Sequence, residues 1–392
     1  MDLELLAALR TPRGTDALTA AAEVSGGDPL AAASALRSRG VDASLAAAAL
    51  TQTELRRRAA GKLGAAAATM FFTRPGFEQA TRAVVADRRA ARLRAAGVTS
   101  MADLGCGLGS DALAAARQGI HVYAVDADPV TAAVAAANVE AAGLTGLVTV
   151  ECADATTVEV EKYDAVFADP ARRRAGRGRV MDPRSWSPSW DFIGALPARV
   201  PRTVLKLAPG IDHALLPAGA EGEWVSVDGD LVEAAFWCGP LAEFPRRASL
   251  LTSGASVEGL HGSGVEKAPV GEVGQFLYDP DPAVVRSHLV AEFAATIGGR
   301  LADPEIAYVY TDEPVPTPFA RQLEITDVLP FSLKRLRTLL RERGIGRLEI
   351  RKRGSALEPE QLRKDLRLSG SAGASLVLTR VANAPVVMIC RG

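Results

Sequence analysis

From Thr99 onward the sequence changes its period. Short apolar runs alternate with helical stretches: SMADLGC, SDALAAARQG, HVYAVD, PVTAAVAAANVEAAG, LVTVECAD, YDAVFADP, SWDFIGALPARV and RTVLKLAP. Near-continuous Val, Leu and Ile runs belong to strands buried on both faces, and helices between such strands return the chain to lay the next one parallel. Because those crossovers are right-handed, the expected fold class is α/β, a doubly wound sheet covered by helices. After Pro209 the order breaks into GEWVSVDGDLVEAAFWCG, where two alternating runs flank Asp228-Gly229-Asp230. That turn signal predicts an antiparallel hairpin.

The flanks read differently. Residues 1–95 are rich in Ala, Leu and Arg and are broken at TPRGT, SGGDP and SRGVD, so an N-terminal helical segment is expected there. The α/β domain is expected over 96–255. It is followed by the Gly/Ser-rich TSGASVEGLHGSGVEKAPVGEVG and then by a small α+β domain over 275–392. With 48% hydrophobic and 23% charged residues the chain can bury sizeable cores. Its formal net charge of -1 gives no global pull towards nucleic acid or membrane, so recognition of an anion must come from local patches. Cys106, Cys152, Cys238 and Cys390 form no CxxC pair, and with four histidines they offer no metal-ligand spacing. The first residues lack a basic stretch leading into an apolar one, and nowhere do about 18 apolar residues run together. No metal, no membrane and a cytoplasmic location are the expectations.

Chemistry enters at Asp103-Leu104-Gly105-Cys106-Gly107-Leu108-Gly109, where a strand gives way to a helix. Glycines there let the backbone turn sharply and let a ligand reach main-chain atoms. A dinucleotide fingerprint G-x-G-x-x-G needs a glycine at position 110, which is Ser110, so NAD and FAD are disfavoured. Asp126 closes the second strand 21 positions beyond Gly105, where an acid accepts hydrogen bonds from ribose hydroxyls. Asp154 follows the third strand and Asp169 the fourth, so successive strand ends carry carboxylates into one crevice. Asp111, just after the glycines, reads as a helix cap.

These residues resemble those of the class I S-adenosylmethionine-dependent methyltransferases, a Rossmann-like fold, over about Met70 to Pro240. DLGCGLG is similar to their first motif, AVDADP to the second, CAD to the third and FADPAR to the fourth. The resemblance implies S-adenosyl-L-methionine as cofactor. It also implies that Gly105, Gly107 and Gly109 line its methionine moiety, that Asp103 approaches its ammonium, and that Asp126 takes the ribose and Asp154 the adenine amine. In relatives acting on exocyclic amines the fourth motif reads Asn or Asp, Pro, Pro, aromatic. Asp169 and Pro170 match its first two positions and carry the catalytic expectation, whereas Ala171 and Arg172 depart from the rest.

Arg172 is expected to stack its guanidinium plane on a base, with Trp186 or Trp190 as the alternative platform; the competing role for each tryptophan is a core anchor. Arg172, Arg173, Arg174, Arg177 and Arg179 place positive charge directly after the catalytic strand, which suits an anionic substrate or a merely solvated loop. Upstream, Phe71 to Thr81 stands where the family places a segment over the cofactor, and Thr73 and Gln79 are its candidate contacts. A hydrophobic staple is the alternative for that segment.

A second basic concentration lies in SLKRLRTLLRERGIGRLEIRKRG, with Leu333, Leu336, Leu339 and Leu340 on one helix face and the cations on the others. Residues from about Phe319 to Arg391 resemble the THUMP-like domain attached to some bacterial methyltransferases, which implies RNA as the partner. The reading is a methyltransferase acting on a base in structured RNA. The alternatives are an enzyme for a small anionic metabolite or a protein, and a catalytically silent module that binds cofactor and RNA.

Overall fold

The computed structural model describes residues 1–172, 186–252, 254 and 257–391, with only the backbone of Ala171 and Arg172 placed. The chain forms two compact units, Met1–Glu221 with Ala235–Glu243, and Gly222–Ala234 with Phe244–Gly392.

The first unit begins with helices α1 (Leu3–Leu9), α2 (Pro12–Glu23), α3 (Pro29–Ser38) and α4 (Ala43–Leu63). Their starts are written in the sequence. Asp2, Thr11, Asp28 and Asp42 each accept a hydrogen bond from a backbone N–H of the first turn, and prolines follow Thr11 and Asp28 at the first helical position. The breaks fall at the three expected turns. After α5 (Arg74–Gln79) and α6 (Ala83–Ala95) the alternation begins: β1 (Ser100–Leu104), α7 (Ser110–Arg117), β2 (His121–Asp126), α8 (Pro129–Ala141), β3 (Val148–Cys152) and β4 (Ala165–Ala168). Then come the short strands β5 (Ala171–Arg172) and β6 (Trp186–Ser187), α9 (Trp190–Arg199) and β7 (Thr203–Leu207); of the hairpin β8 (Glu221–Val227) and β9 (Asp230–Trp237), this unit holds Glu221 and Ala235–Trp237 and the second unit the rest.

Within this unit the strand order is the Ala235–Trp237 end of β9, then β7, β4, β1, β2, β3. All four pairings from β7 to β3 are parallel. The chain runs outward from β1 through β2 to β3 and then returns to the other side of β1 to lay down β4 and β7, so the order reverses between β1 and β4. At such a reversal the loops leave a crevice at the carboxyl ends of the strands, where open α/β sheets bind ligands. One hydrophobic cluster runs through this unit, from Leu6, Leu9 and Leu36 in the helices through Phe72 and Leu113 to Val122, Phe167 and Trp237. The N-terminal helices share the core of the sheet.

In the second unit, β10 (Arg246–Leu251) lies parallel to β8 and antiparallel to β11 (Val257–Gly262). The chain continues through β12 (Phe276–Pro280), α10 (Pro282–Arg286), α11 (Val290–Thr296), β13 (Arg300–Leu301) and β14 (Val309–Thr311). It ends with β15 (Ala320–Pro330), α12 (Leu333–Glu342), β16 (Ile345–Lys352), α13 (Pro359–Leu366), β17 (Ala372–Val381) and β18 (Ala384–Arg391). These strands make a seven-stranded sheet in the order β13, β14, β12, β15, β18, β17, β16.

Alternation along β17 and β18 sorts the residues of that sheet between two cores. Leu376, Leu378, Val387 and Ile389 pack with Leu336 and Leu340 of α12 and Leu362 and Leu366 of α13. Val377, Met388 and Cys390 pack instead with Leu277, Tyr308, Tyr310 and Leu323. Among the described residues no helix is long and apolar enough to cross a membrane.

Candidate functional site

The glycine loop closes β1. Gly105 and Cys106 both donate to the carbonyl of Val125 at the end of β2, at 2.9 and 3.0 Å, which ties the loop to the neighbouring strand. Gly105 adopts φ +89°, and a Cβ there would stand 2.8 Å from the backbone oxygen of Asp169. Only glycine allows the β1 and β4 ends to approach so closely. Gly107 and Gly109 also have positive φ. Asp126 Oδ2 accepts from Gly107 N–H at 3.1 Å and Oδ1 from Asp128 N–H at 3.0 Å. A carboxylate accepts about four hydrogen bonds, so capacity remains for a diol. Burial raises its pKa above the ordinary carboxylate value against the pull of those two N–H groups.

Beneath the loop, Asp103 is completely buried and neither carboxylate oxygen has a hydrogen-bond partner among the described residues. Burial first, and then the Asp111 and Asp169 carboxylates, push its pKa well above the ordinary range against the attraction of Lys206. An orphaned acid of this kind is satisfied by a cationic or donating ligand group. Asp111, expected as a helix cap, does something else. Gly109 occupies the cap position, while Asp111 is buried with Arg89 Nε donating to Oδ1 at 3.0 Å and the Thr81 hydroxyl donating to Oδ2 at 2.5 Å. Burial alone would raise its pKa, but Arg89, Lys206 and the Thr81 hydroxyl hold it below the usual value.

Asp169 follows β4 and is pinned at its backbone by an N–H donated to Leu104 O at 3.1 Å. Its Oδ2 accepts from Lys206 Nζ at 2.5 Å. Lys206 stands in β7, the parallel neighbour of β4. Sequence reasoning missed this lysine because it lies within the strand-like TVLKL; a single cation in a strand otherwise built for burial is the available signal.

The segment before α5 is fastened over the loop. Gln52 of α4 holds Phe72 by a pair of 2.8 Å hydrogen bonds to its N–H and C=O. Asn138 of α8 accepts from Phe71 N–H at 2.7 Å and donates to the Phe71 and Leu108 carbonyls. Thr73 caps α5 by accepting from Gly76 N–H, and a Cβ on Gly76 would lie 2.6 Å from the Leu108 side chain. Thus α5, which ends at Gln79, packs against the glycine loop. Neither Gln52 nor Asn138 carries a signal in the sequence, since each stands among other polar residues of its helix and nothing local marks it out.

The remaining expectations separate. Asp154 is exposed beyond β3, and its Oδ1 accepts from the Thr156 N–H and hydroxyl at 2.8 and 2.7 Å, capping a short 3-10 turn. Trp186 of β6 pairs across from Arg172 of β5, so the tryptophan stands two strand positions from Pro170. It is buried and meets half-buried Trp190 edge to face at 5.7 Å. Arg173, Arg174, Arg177 and Arg179 lie outside the described residues. In the second unit much of the basic run is already paired: Arg343 with Asp327, Arg351 and Arg353 with Asp279, and Lys352 with Glu358. Lys334, Arg335 and Arg347 make no side-chain hydrogen bond or ion pair among the described residues. Among those residues, no group of three His, Cys, Asp or Glu could hold a metal ion.

A doubly wound sheet with a glycine loop at its reversal, an acid on the second strand and an unpartnered acid beneath the loop defines a nucleoside-binding α/β enzyme. Comparison with known proteins narrows the class. Residues 101–172 match a methyltransferase domain, 320–392 a THUMP domain-like family, and 2–59 a domain of unknown function. The chain is 36% identical over 341 residues to an uncharacterized S-adenosylmethionine-dependent methyltransferase of Mycobacterium tuberculosis, found alike in strains CDC 1551 and H37Rv; the match covers 84% of this chain and 91% of the relative. The crystal structure of a presumed methyltransferase from Porphyromonas gingivalis W83 superposes with a TM-score of 0.75 at 20% identity, covering 96% of this chain and 98% of that one. This chain belongs to the S-adenosylmethionine-dependent methyltransferases.

The residues present fit that cofactor: Asp103 is a buried acid without a hydrogen-bond partner among the described residues, Gly107 leaves open space where a side chain would stand, and Asp126 keeps spare acceptor capacity. S-adenosylmethionine supplies an electrophilic methyl group; the protein's part is to align the acceptor and take up its proton.

Proposed function

We propose that this methyltransferase acts on a base in structured RNA, in the cytoplasm, with Asp169 receiving the acceptor's proton and Pro170 shaping the turn that presents it. The observation that carries the RNA reading is the THUMP domain-like match over 320–392 on the same chain as the methyltransferase domain. Support comes from Lys334, Arg335 and Arg347, three cations in that region without partners among the described residues. Unlike the paired arginines, they reach phosphates without first giving up a carboxylate.

In this reading Asp103, Gly105, Gly107, Gly109 and Asp126 hold the cofactor, and Oδ2 of Asp154, which makes no hydrogen bond among the described residues, receives the adenine amine while Oδ1 keeps its turn. Thr73 borders the methionine end. Arg172 and Arg173 meet the acceptor's phosphates, and Trp190, the more exposed of the two tryptophans, gives the base a platform that Trp186 buttresses. The chain then divides as helical segment, catalytic domain and RNA-delivery domain, 1–95, 96–255 and 275–392.

The test is mass spectrometry of nucleosides from total RNA of cells with and without the gene, followed by transfer of tritiated methyl groups to RNA from the deletion strain. One methylated nucleoside should disappear with the gene and be restored by the purified enzyme. Reversing the charges of Lys334, Arg335 and Arg347 should lower RNA affinity and flatten its salt dependence by about one phosphate contact per cation removed. Identical nucleoside profiles and no transfer to RNA would defeat the proposal and favour a metabolite or protein acceptor.

A further inference from the structure

We propose that Lys206 is a positioning residue of the acceptor side: its ammonium fixes the Asp169 carboxylate so that Oδ2 is engaged and Oδ1 is presented to the incoming acceptor. The inference rests on the reading of Asp169 given above and adds a residue that no strand-end motif contains.

The geometry is that of a built pair. Lys206 lies in β7 and Asp169 directly follows β4, its parallel neighbour, and Nζ donates to Oδ2 at 2.5 Å. The lysine is the deeper partner, with 12% of its side chain exposed against 34% for the aspartate, so the carboxylate stands nearer to solvent than the ammonium that holds it. Oδ1 makes no hydrogen bond among the described residues. The backbone of Asp169 has little freedom to compensate for a lost anchor, because its N–H is bonded to Leu104 and its carbonyl abuts Gly105.

Charge around the pair gives Lys206 its task. Asp103 on β1, Asp111 on α7 and Asp126 on β2 all act on this end of the sheet. Arg89 from α6 neutralises Asp111, whereas the Asp103 carboxylate has no hydrogen-bond partner among the described residues. A further uncompensated carboxylate in such company would turn away towards solvent; an ammonium beneath it holds it in place. Of the cations, Lys62 of α4 feels the positive charges of Lys206 and of Arg82, just before α6.

Calorimetry on the full chain provides the test, using S-adenosylmethionine, which is positive at sulfur, and S-adenosylhomocysteine, which is neutral there. Lys206→Met leaves Asp169 uncompensated and should favour the cationic ligand over the neutral one by about three- to tenfold, the scale of one unit charge several ångströms away at intermediate dielectric. Asp169→Asn should shift the ratio the opposite way. The double variant should return it close to wild type, and Lys206→Arg should preserve it. With RNA from the deletion strain as acceptor, Lys206→Met should lower kcat at least about tenfold while Lys206→Arg retains most of it.

An unchanged ligand ratio in both single variants would overturn the proposal, as would full kcat in Lys206→Met. Should wild type methylate no RNA, the RNA reading fails, and the ligand ratio still decides the role of Lys206. Thermal melts identify any variant that does not fold, in which case Lys206→Arg and Asp169→Asn carry the comparison.

Discussion

Replacing Gly105 by alanine separates two physical demands on the glycine loop. The first is conformational. Gly105 has φ +89°, a region that costs an L-residue about 1–2 kcal/mol. The second is spatial, since the new methyl group would lie 2.8 Å from the Asp169 carbonyl oxygen, and that oxygen belongs to a backbone pinned by its own hydrogen bond. Forcing such a contact adds about 1–3 kcal/mol of overpacking, for a total of about 2–5 kcal/mol. Gly119 is the matched control. It has φ +76° with nothing within 4 Å of a built Cβ, so alanine there should cost only the conformational part.

Urea denaturation of the two variants should therefore differ by about 1–3 kcal/mol, the spatial part alone. Calorimetry with S-adenosylmethionine should show Gly119→Ala unchanged and Gly105→Ala weakened at least about tenfold, a loss of about 1.4 kcal/mol, because the loop and Asp169 must move apart. Equal stability losses together with equal cofactor affinities would refute the argument that close approach of β1 and β4 is what requires glycine at position 105.

Four further outcomes are expected. Arg92 grips Glu221 by two hydrogen bonds of 2.9 and 2.7 Å, with Glu221 fully buried, so Glu221→Ala should cost about 3–5 kcal/mol in denaturation while cofactor affinity in the folded fraction stays unchanged. Asp126→Ala should weaken S-adenosylmethionine binding at least about tenfold, since a charged-group hydrogen bond is worth about 1.5–3 kcal/mol. Because burial raises the Asp126 pKa, wild-type affinity should fall on acidification at a higher pH than an ordinary carboxylate would dictate, and Asp126→Asn should lose that dependence in titration calorimetry. Burial, then the charges of Lys206 and Arg82, lower Lys62 from 10.5 to about 8. Between those values the unfolded chain holds the extra proton, so the contribution of Lys62 to stability should rise with pH across that window; NMR of the isotopically methylated amine should find the lowered midpoint, and an ordinary one would contradict it.

Elements governed by neighbours along the chain are legible in the linear sequence. Asp2, Thr11-Pro12, Asp28-Pro29 and Asp42 announce the helix starts, and continuous apolar runs announce the parallel strands. The glycine loop and the acids at 103, 126 and 169 can be read because strand ends in a doubly wound sheet converge on one edge whatever else the chain does. Asp154 stands at its strand end as expected, but it also caps a turn through Thr156, two residues on, a local role that its sequence neighbourhood already offers.

What only the tertiary structure decided is which charged and polar groups meet. Lys206 finds Asp169 across 37 residues, Arg89 finds Asp111 across 22, and Asn138 reaches Phe71 across 67. The same holds for the basic run after α12, where folding assigns Arg343, Arg351 and Arg353 to internal carboxylates and leaves Lys334, Arg335 and Arg347 without one among the described residues. Hydrophobic periodicity and capping are short-range and recur with a fixed spacing, so a linear reading detects them. A charge pair depends on strand order and on depth of burial, and neither exists until the chain has folded; the sequence alone therefore determined the class of enzyme and the edge of the sheet where its glycine loop and acids gather, and the fold determined how Asp169 is held there.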